Sequence, residues 1–122
     1  MKSGRFRPFE RLKTSIDFKQ VFDHPKKTAG KNLLILWKPG QGFCTRVGII
    51  AGKRVSKLAV SRNRIRRVIR DSFRLTKDQL GLLDIIVIAK QSCAGLSNTE
   101  LRHETDILWK KLKTHSQKYL LS

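Results

Sequence analysis

The run Arg62-Asn63-Arg64-Ile65-Arg66-Arg67-Val68-Ile69-Arg70, continued by Phe73 and Arg74, holds the residues whose types and spacing carry the most chemistry. At about 100° per residue, Leu58, Ile65, Val68, Ile69 and Phe73 fall on one side of a helix, and Asn63, Arg66, Arg67, Arg70 and Arg74 on the other. A run of like charge is usually a solvated face. Here the cations from Arg62 to Arg74 have only Asp71 nearby to relieve their repulsion, and all are Arg. A guanidinium is a planar fork that binds phosphate oxygens two at a time, which an ammonium cannot do. The helix therefore reads as a surface for phosphates.

Other chemistries are poorly served. A metal-dependent nuclease needs clustered carboxylates to hold two cations about 3.5 to 4 Å apart. Glu100 is taken up by a capping box, while Asp17 with Asp23, or Glu104 with Asp106, point to different helix faces. There is no P-loop, dinucleotide fingerprint or nucleophile elbow. Cys44 and Cys93 lie too far apart for a C-x-x-C site and make no disulfide framework, which fits a reducing cytoplasm. His24, His103 and His115 form no ligand pattern and read as surface residues. The expectation is a binder with no catalytic residue and no metal site of its own.

A formal charge of +18 against nine carboxylates requires a polyanionic partner, and the excess runs from Lys2 to Lys118. Nucleic acid and an anionic membrane are the candidates. No apolar stretch approaches the roughly 20 residues that span a bilayer, and no apolar segment follows the basic N-terminus as a signal peptide requires. Glu10 and the lack of a Ser-rich amphipathic repeat count against an organellar presequence over residues 5–13. The 122 residues suit one RNA-binding domain with a single modest core, with residues 1–9 and 117–122 expected to be loose.

The elements that must position the arginines follow in order. A first helix is expected from Thr14 or Ser15 as N-cap, with Asp17 in its positive first turn, Phe18, Val21 and Phe22 on one face, and Pro25 near its end. Two or three strands come next. Residues 33–37 are a continuous apolar run that suits burial on both faces, Gly40 and Gly42 mark a turn, and residues 45–51 are rich in β-branched side chains. Ser56 is the expected cap of the arginine helix. Residues 84–90 read as a central strand, and Ser97 with Glu100 opens a last helix carrying Leu101, Leu108 and Leu112. Residues 26–31 and 91–95 read as short linkers. Strand, helix, strand over residues 46–90 suits a parallel β-α-β unit, within an α+β sandwich of about four strands and three helices.

The block Lys53-Arg54, Ala59-Val60-Ser61-Arg62-Asn63-Arg64-Ile65-Arg66-Arg67, Arg70 and Phe73-Arg74 resembles the signature of the bacterial ribonuclease P protein component. Arg11-Leu12-Lys13 with Asp17-Phe18 and Val21-Phe22 is similar to that family's N-terminal pattern, Arg46-Val47-Gly48 to its R-x-G strand, and Asp84-Ile85-Ile86-Val87-Ile88-Ala89-Lys90 to its central strand. The segments occur in the family's order from Arg11 to Leu112.

The resemblance implies a two-layer α/β sandwich in the order αβββαβα with a left-handed β-α-β crossover, against the usual right-handed preference. It implies a protein that joins a large catalytic RNA to remove the 5′ leader of precursor tRNA by hydrolysing one phosphodiester, with Mg²⁺ held by the RNA and no further protein partner required. Arg62, Asn63, Arg64, Arg66, Arg67 and Arg70 would then contact the catalytic RNA, with Lys53, Arg54 and Arg74 extending that surface. Phe18 and Phe22, with Leu36, Arg11 and Lys13, would line the leader cleft between the first helix and the sheet. Many members have an aromatic where Leu36 stands, so Trp37 is an alternative contact, and the glycine that often precedes the arginine helix is missing. Charge and size alone also suit a small basic ribosomal protein. A DNA-binding regulator is disfavoured by the strand-like residues 47–51, where a helix-turn-helix needs a helix.

Overall fold

The structure, a computed structural model, describes residues 10–40 and 44–121. The expectations of a loose N-terminal segment at residues 1–9 and of a turn at Gly42 lie outside the described residues. Thr14 opens α1 (Ser15–Phe22) with a complete capping box: its hydroxyl accepts from the Asp17 amide while the Asp17 carboxylate accepts from the Thr14 amide. The helix ends at Asp23, followed by His24 in the left-handed region at φ 55° and by Pro25.

Three strands follow: β1 (Lys26–Ala29), β2 (Leu33–Pro39) and β3 (Arg46–Ile50). Then α2 (Ala59–Thr76) leads through a 3-10 turn at Lys77–Gln79 to β4 (Leu83–Ala89), and a second 3-10 turn at Gln91–Gly95 leads to α3 (Asn98–Leu121). The sheet order is β1-β2-β4-β3, with β3 and β4 parallel and the other pairs antiparallel. The expected β-α-β unit and αβββαβα order are present, and β4 is central.

Period-two alternation divides the work of each strand. Leu33, Ile35 and Trp37 of β2, Ile85 and Val87 of β4 and Val47 of β3 face Ile65, Ile69 and Phe73 of α2 and Leu101, Leu108, Trp109 and Leu112 of α3. Leu36 and Ile86 point the other way and are covered by Leu12 and by Val21 of α1.

Two local expectations are corrected. Residues 26–29 are an edge strand rather than a linker: only Thr28 turns inward, so no apolar alternation marks β1, and its pairing with β2 holds it. Ser56 does not cap α2. Its hydroxyl accepts from the Leu58 amide at 3.1 Å in the preceding turn, and Leu58 becomes the N-cap, 65% exposed, leaving the apolar stripe to Ile65, Val68, Ile69 and Phe73. At its end α3 continues as helix to Leu121 and lays Tyr119 against Trp37.

Candidate nucleic-acid interface

The apolar stripe that docks α2 on the sheet turns its arginines outward along one edge of the molecule. Asn63 and Arg67 are exposed, while Arg66 and Arg70 are half-buried beside them. Arg66 donates to the Asn63 side-chain oxygen at 3.1 Å and to the Ala51 carbonyl at 2.9 Å, which ties the helix to the end of β3 and fixes the fork's orientation. Arg62 reaches back to the carbonyls of Ser56 and Lys57. Lys53 and Arg54 stand exposed in a turn closed by Val55 N–H to Gly52 C=O and anchored by the buried Val55 side chain. The first turn of α2 contains no acid, so the positive helix end adds to the same field. Two expected members diverge: Arg64 turns toward α3 and donates to Asn98 at 2.7 Å, and Arg74 pairs with Asp71 at 3.3 Å.

A groove of about 230 Å³ opens where this face meets the sheet, lined by Arg11, Leu12, Phe18, Val47, Gly48, Ile49, Arg66 and Arg70. Its floor depends on Gly48, because a Cβ there would lie 2.5 Å from the Phe18 ring. Arg11 arrives from the N-terminal segment, which runs beside β3 through a parallel bridge to Val47 and a Leu12 N–H to Val47 C=O bond of 3.0 Å. That segment is strapped by an ion pair of Glu10 with Lys77 at 2.6 Å, both about 7% exposed. Burial, then the neighbouring Arg11 and Arg66 charges, push Arg70 below its ordinary value. Three guanidiniums from two unconnected elements thus crowd one groove, a repulsion that an anion would relieve.

The remaining expected cleft residues separate. Phe18 lines the groove, but Phe22 is 45% exposed and borders a second hollow with Ile16, Lys19, Gln20 and Asp23 on the outer side of α1. Leu36 is only 5% exposed and lies under α1 as floor, and Lys13 is exposed at the mouth of the helix cap. Trp37 is 2% exposed on the opposite face and cannot stand in for the missing aromatic. Beside α1, Leu34, Ile50 and Ile88 are half-buried apolar residues that extend the cleft. They were not legible as site residues, because runs read as buried on both faces give no sign of where cover stops. Nor was the Glu10 to Lys77 strap, which joins residues 67 apart in sequence.

Arg46 is a further organiser, donating twice to Asp84 at 2.9 Å and lying 3.5 Å from Asp17, so that β3, β4 and α1 meet at one guanidinium. Cys93, whose thiol burial pushes up to about 11, donates to the Asn32 carbonyl and is a packing residue, not a nucleophile. Among the described residues, no three His, Cys, Asp or Glu side chains group to hold a metal, and no helix is long and apolar enough to cross a membrane.

Comparison with known proteins agrees with this geometry. A family model described as Ribonuclease P matches residues 6–113. The ribonuclease P protein component of Pseudomonas putida (strain GB-1) is 44% identical over 113 residues, covering 92% of this chain and 84% of that one. Its counterpart in Acinetobacter baylyi is 39% identical over 110 residues, covering 89% and 84%. The Staphylococcus aureus RNase P protein superposes with a TM-score of 0.77 at 26% identity, covering 83% of this chain and 93% of that one. The Thermotoga maritima RNase P protein, at 24% identity and TM-score 0.73, shares the fold. The chain belongs to the family of the ribonuclease P protein component, the protein subunit of that ribonuclease.

Proposed function

We propose that this chain binds the catalytic RNA of ribonuclease P along the α2 arginine face and holds the 5′ leader of precursor tRNA in the groove beside Phe18. It thereby assists, in the cytoplasm, the endonucleolytic cut that leaves the mature 5′ end. The observation that carries the reading is the convergence of Arg11, Arg66 and Arg70 on a groove with an aromatic wall and a glycine floor. A single strand offers such a groove both a phosphate for the guanidiniums and a base face for the ring. Lys53 and Arg54 in the turn before α2, with Arg62, Asn63 and Arg67 along it, supply the sequence-independent phosphate contacts that dominate affinity for a large RNA.

Catalysis is assigned to the RNA subunit with Mg²⁺, whose role is to stabilise the attacking and leaving oxygens. The chain's scattered carboxylates do not suit holding that ion: Asp84 and Asp17 are engaged by Arg46, and Glu10 by Lys77. The protein's own work is therefore to neutralise phosphates, orient the leader and keep the folded RNA compact. Family membership sets aside the ribosomal-protein alternative.

The test is single-turnover cleavage of precursor tRNA by protein stripped of RNA with nuclease and repurified. No cleavage is expected until the large RNA and Mg²⁺ are restored. Robust cutting at the mature 5′ end by the RNA-free protein would overturn the accessory role.

A further inference from the structure

We propose that β1 and the C-terminal half of α3 form a second RNA-binding surface, which takes the phosphodiester backbone of a structured RNA at the sheet edge opposite the arginines. The proposal rests on the preceding one only in assuming that the chain works on RNA. The sheet order puts β1 and β3 at opposite edges, three inter-strand steps apart, or about 14 Å at the usual strand spacing. Because α2 packs toward β3 and α3 toward β1 and β2, the two basic surfaces belong to different helices and different edges.

Cations outnumber acids on this edge. Lys26, Lys27 and Lys31 are exposed in and after β1, and beyond Asp106 the rest of α3 contains Lys110, Lys111, Lys113 and Lys118 but no acid. Glu104, a carboxylate on the adjoining part of α3, accepts from the amide N–H and side-chain NH₂ of Asn32 at 2.8 and 2.6 Å. The two lysine rows are also fixed relative to each other. Thr28 accepts from the Trp37 indole N–H at 3.2 Å and bonds His115 Nδ1 at 2.9 Å, stitching β1 to α3.

At the end of this edge the buried Trp37 meets Tyr119 edge-on, with centroids 6.1 Å apart, and the Lys26 ammonium sits 4.0 Å over the tyrosine ring. A lysine held on an aromatic that is itself held by the core has lost part of its rotamer freedom before any ligand arrives, which lowers the entropic cost of binding. Lysines on an edge strand also discourage edge-to-edge pairing. That duty accounts for Lys26 and Lys27, but not for Lys111 and Lys118 on the adjoining helix or a tyrosine left 42% exposed among the lysines. Lys in place of Arg suits point contacts to phosphate without geometric selection, so this surface should add affinity with little sequence preference.

The test compares full-length wild type with the triple variant Lys26→Gln, Lys111→Gln, Lys118→Gln and with Arg66→Ala, Arg70→Ala. Binding is measured from low to moderate salt on two probes: the large catalytic RNA alone, and precursor tRNA presented to the assembled ribonucleoprotein. For the probe that uses this edge, the triple variant should bind about tenfold or more weakly at physiological salt, with a slope of log affinity against log salt shallower by about 2 units. The probe affected identifies the RNA that occupies the edge. The matching lysine-to-arginine triple variant should retain binding, which separates lost charge from lost fold. Unchanged affinity and slope on both probes, with the arginine variants still impaired, would overturn the second surface and leave the first intact. If the arginine variants were equally unaffected, the α2 reading itself would fail. Loss of binding to anionic phospholipid vesicles with RNA affinity unchanged would also overturn the proposal.

Discussion

On the face of the sheet that carries α2 and α3, two long helices cover the strands and bury the larger core. On the face that carries α1, a helix of eight residues covers Leu12, Leu36 and Ile86 and leaves Phe18, Leu34, Ile50 and Ile88 half-buried. Eight residues make a rod of about 12 Å, too short to roof four strands. The same β2 and β4 build both faces, because successive side chains alternate, so the main core and the floor of the proposed leader groove are separated by strand parity rather than by domain. The polar groups differ as well. Beneath α2 and α3 they are hydroxyls, an amide and an indole, with carboxylates only as outer partners: Trp109 N–H donates to Ser72, which in turn donates to Asp106, and Asn32 donates to Glu104. Beneath α1 they are charges: Asp17, Arg46 and Asp84.

The covered face should therefore yield the largest stability effects. Trp109 is 1% exposed and packs edge-on against Phe73 with centroids 5.8 Å apart. Trp109→Ala should cost about 3 to 5 kcal/mol in chemical denaturation, from the lost contacts, the cavity and the abandoned Ser72 partner. At concentrations where the variant stays folded, its discrimination between precursor and mature tRNA should be unchanged. A Trp109→Ala protein that loses leader discrimination while remaining as stable as wild type would erase the division between the faces.

The Glu10–Lys77 strap offers an effect of similar size at the boundary. Removing one partner from a buried pair takes a counter-charge from the other, so Lys77→Met or Glu10→Gln alone should cost about 3 kcal/mol. The double variant should recover much of that loss. Hydrogen exchange at the Leu12 amide, which donates to Val47, reports the segment directly. It should speed up in the single variants more than amides of α3 do. Uniform acceleration across the chain would mean that the pair supports the whole fold and not the Arg11 segment in particular.

Phe18 gives the converse of Trp109. Half-buried over Gly48, its ring has less to lose on truncation than a core aromatic, so Phe18→Ala should cost well under the 3 to 5 kcal/mol of a core site. Binding of a precursor bearing a leader should weaken by about 1 to 3 kcal/mol, with mature tRNA little affected. A collapse of the thermal melt with leader discrimination intact would move Phe18 into the core and close the groove as a site. Gly48→Val sharpens the point, since its side chain displaces the Phe18 ring and should reproduce the binding loss.

These contrasts also mark what the sequence could disclose. The stripe of α2, the apolar run of β4, the N-cap of α1 and the capping box of α3 are legible because each is set by residues within about a turn or a strand of one another. Edge strand β1 is not, since one inward Thr28 is no pattern. Adjacent Leu36 and Trp37 had to face opposite ways by strand parity, but which face carried the two long helices is decided by the fold. Phe22 shares helical phase with Phe18 yet lies past the reach of the sheet at the end of a short helix. The convergence of Arg11 with Arg66 and Arg70 depends on a strap between distant residues that neither charge nor spacing announces.

The smallest expected effect tests the charged attachment of α1. The Asp17 carboxylate is held below its ordinary value of 3.8 chiefly by the Thr14 backbone amide, then by the Lys13 amide and the Arg46 charge, against an opposing contribution from burial. Because the folded-state value is the lower one, the unfolded chain binds more protons in the window just beneath 3.8. Stability from this carboxylate is fully present above the unfolded value and is lost as pH falls through the folded one. Asp17→Asn should therefore cost a fraction of a kcal/mol to about 1 kcal/mol near neutrality, in the range of a helix cap. The difference between variant and wild type should shrink toward zero as both are titrated below the folded value. Since the polar groups beneath α2 and α3 are mostly hydroxyls and an indole, the acid-dependent loosening should appear first in α1 amides, read by exchange at low pH. A difference between Asp17→Asn and wild type that stays constant across the titration would assign the cap's contribution to hydrogen-bond geometry alone and remove charge from the account of how α1 is held.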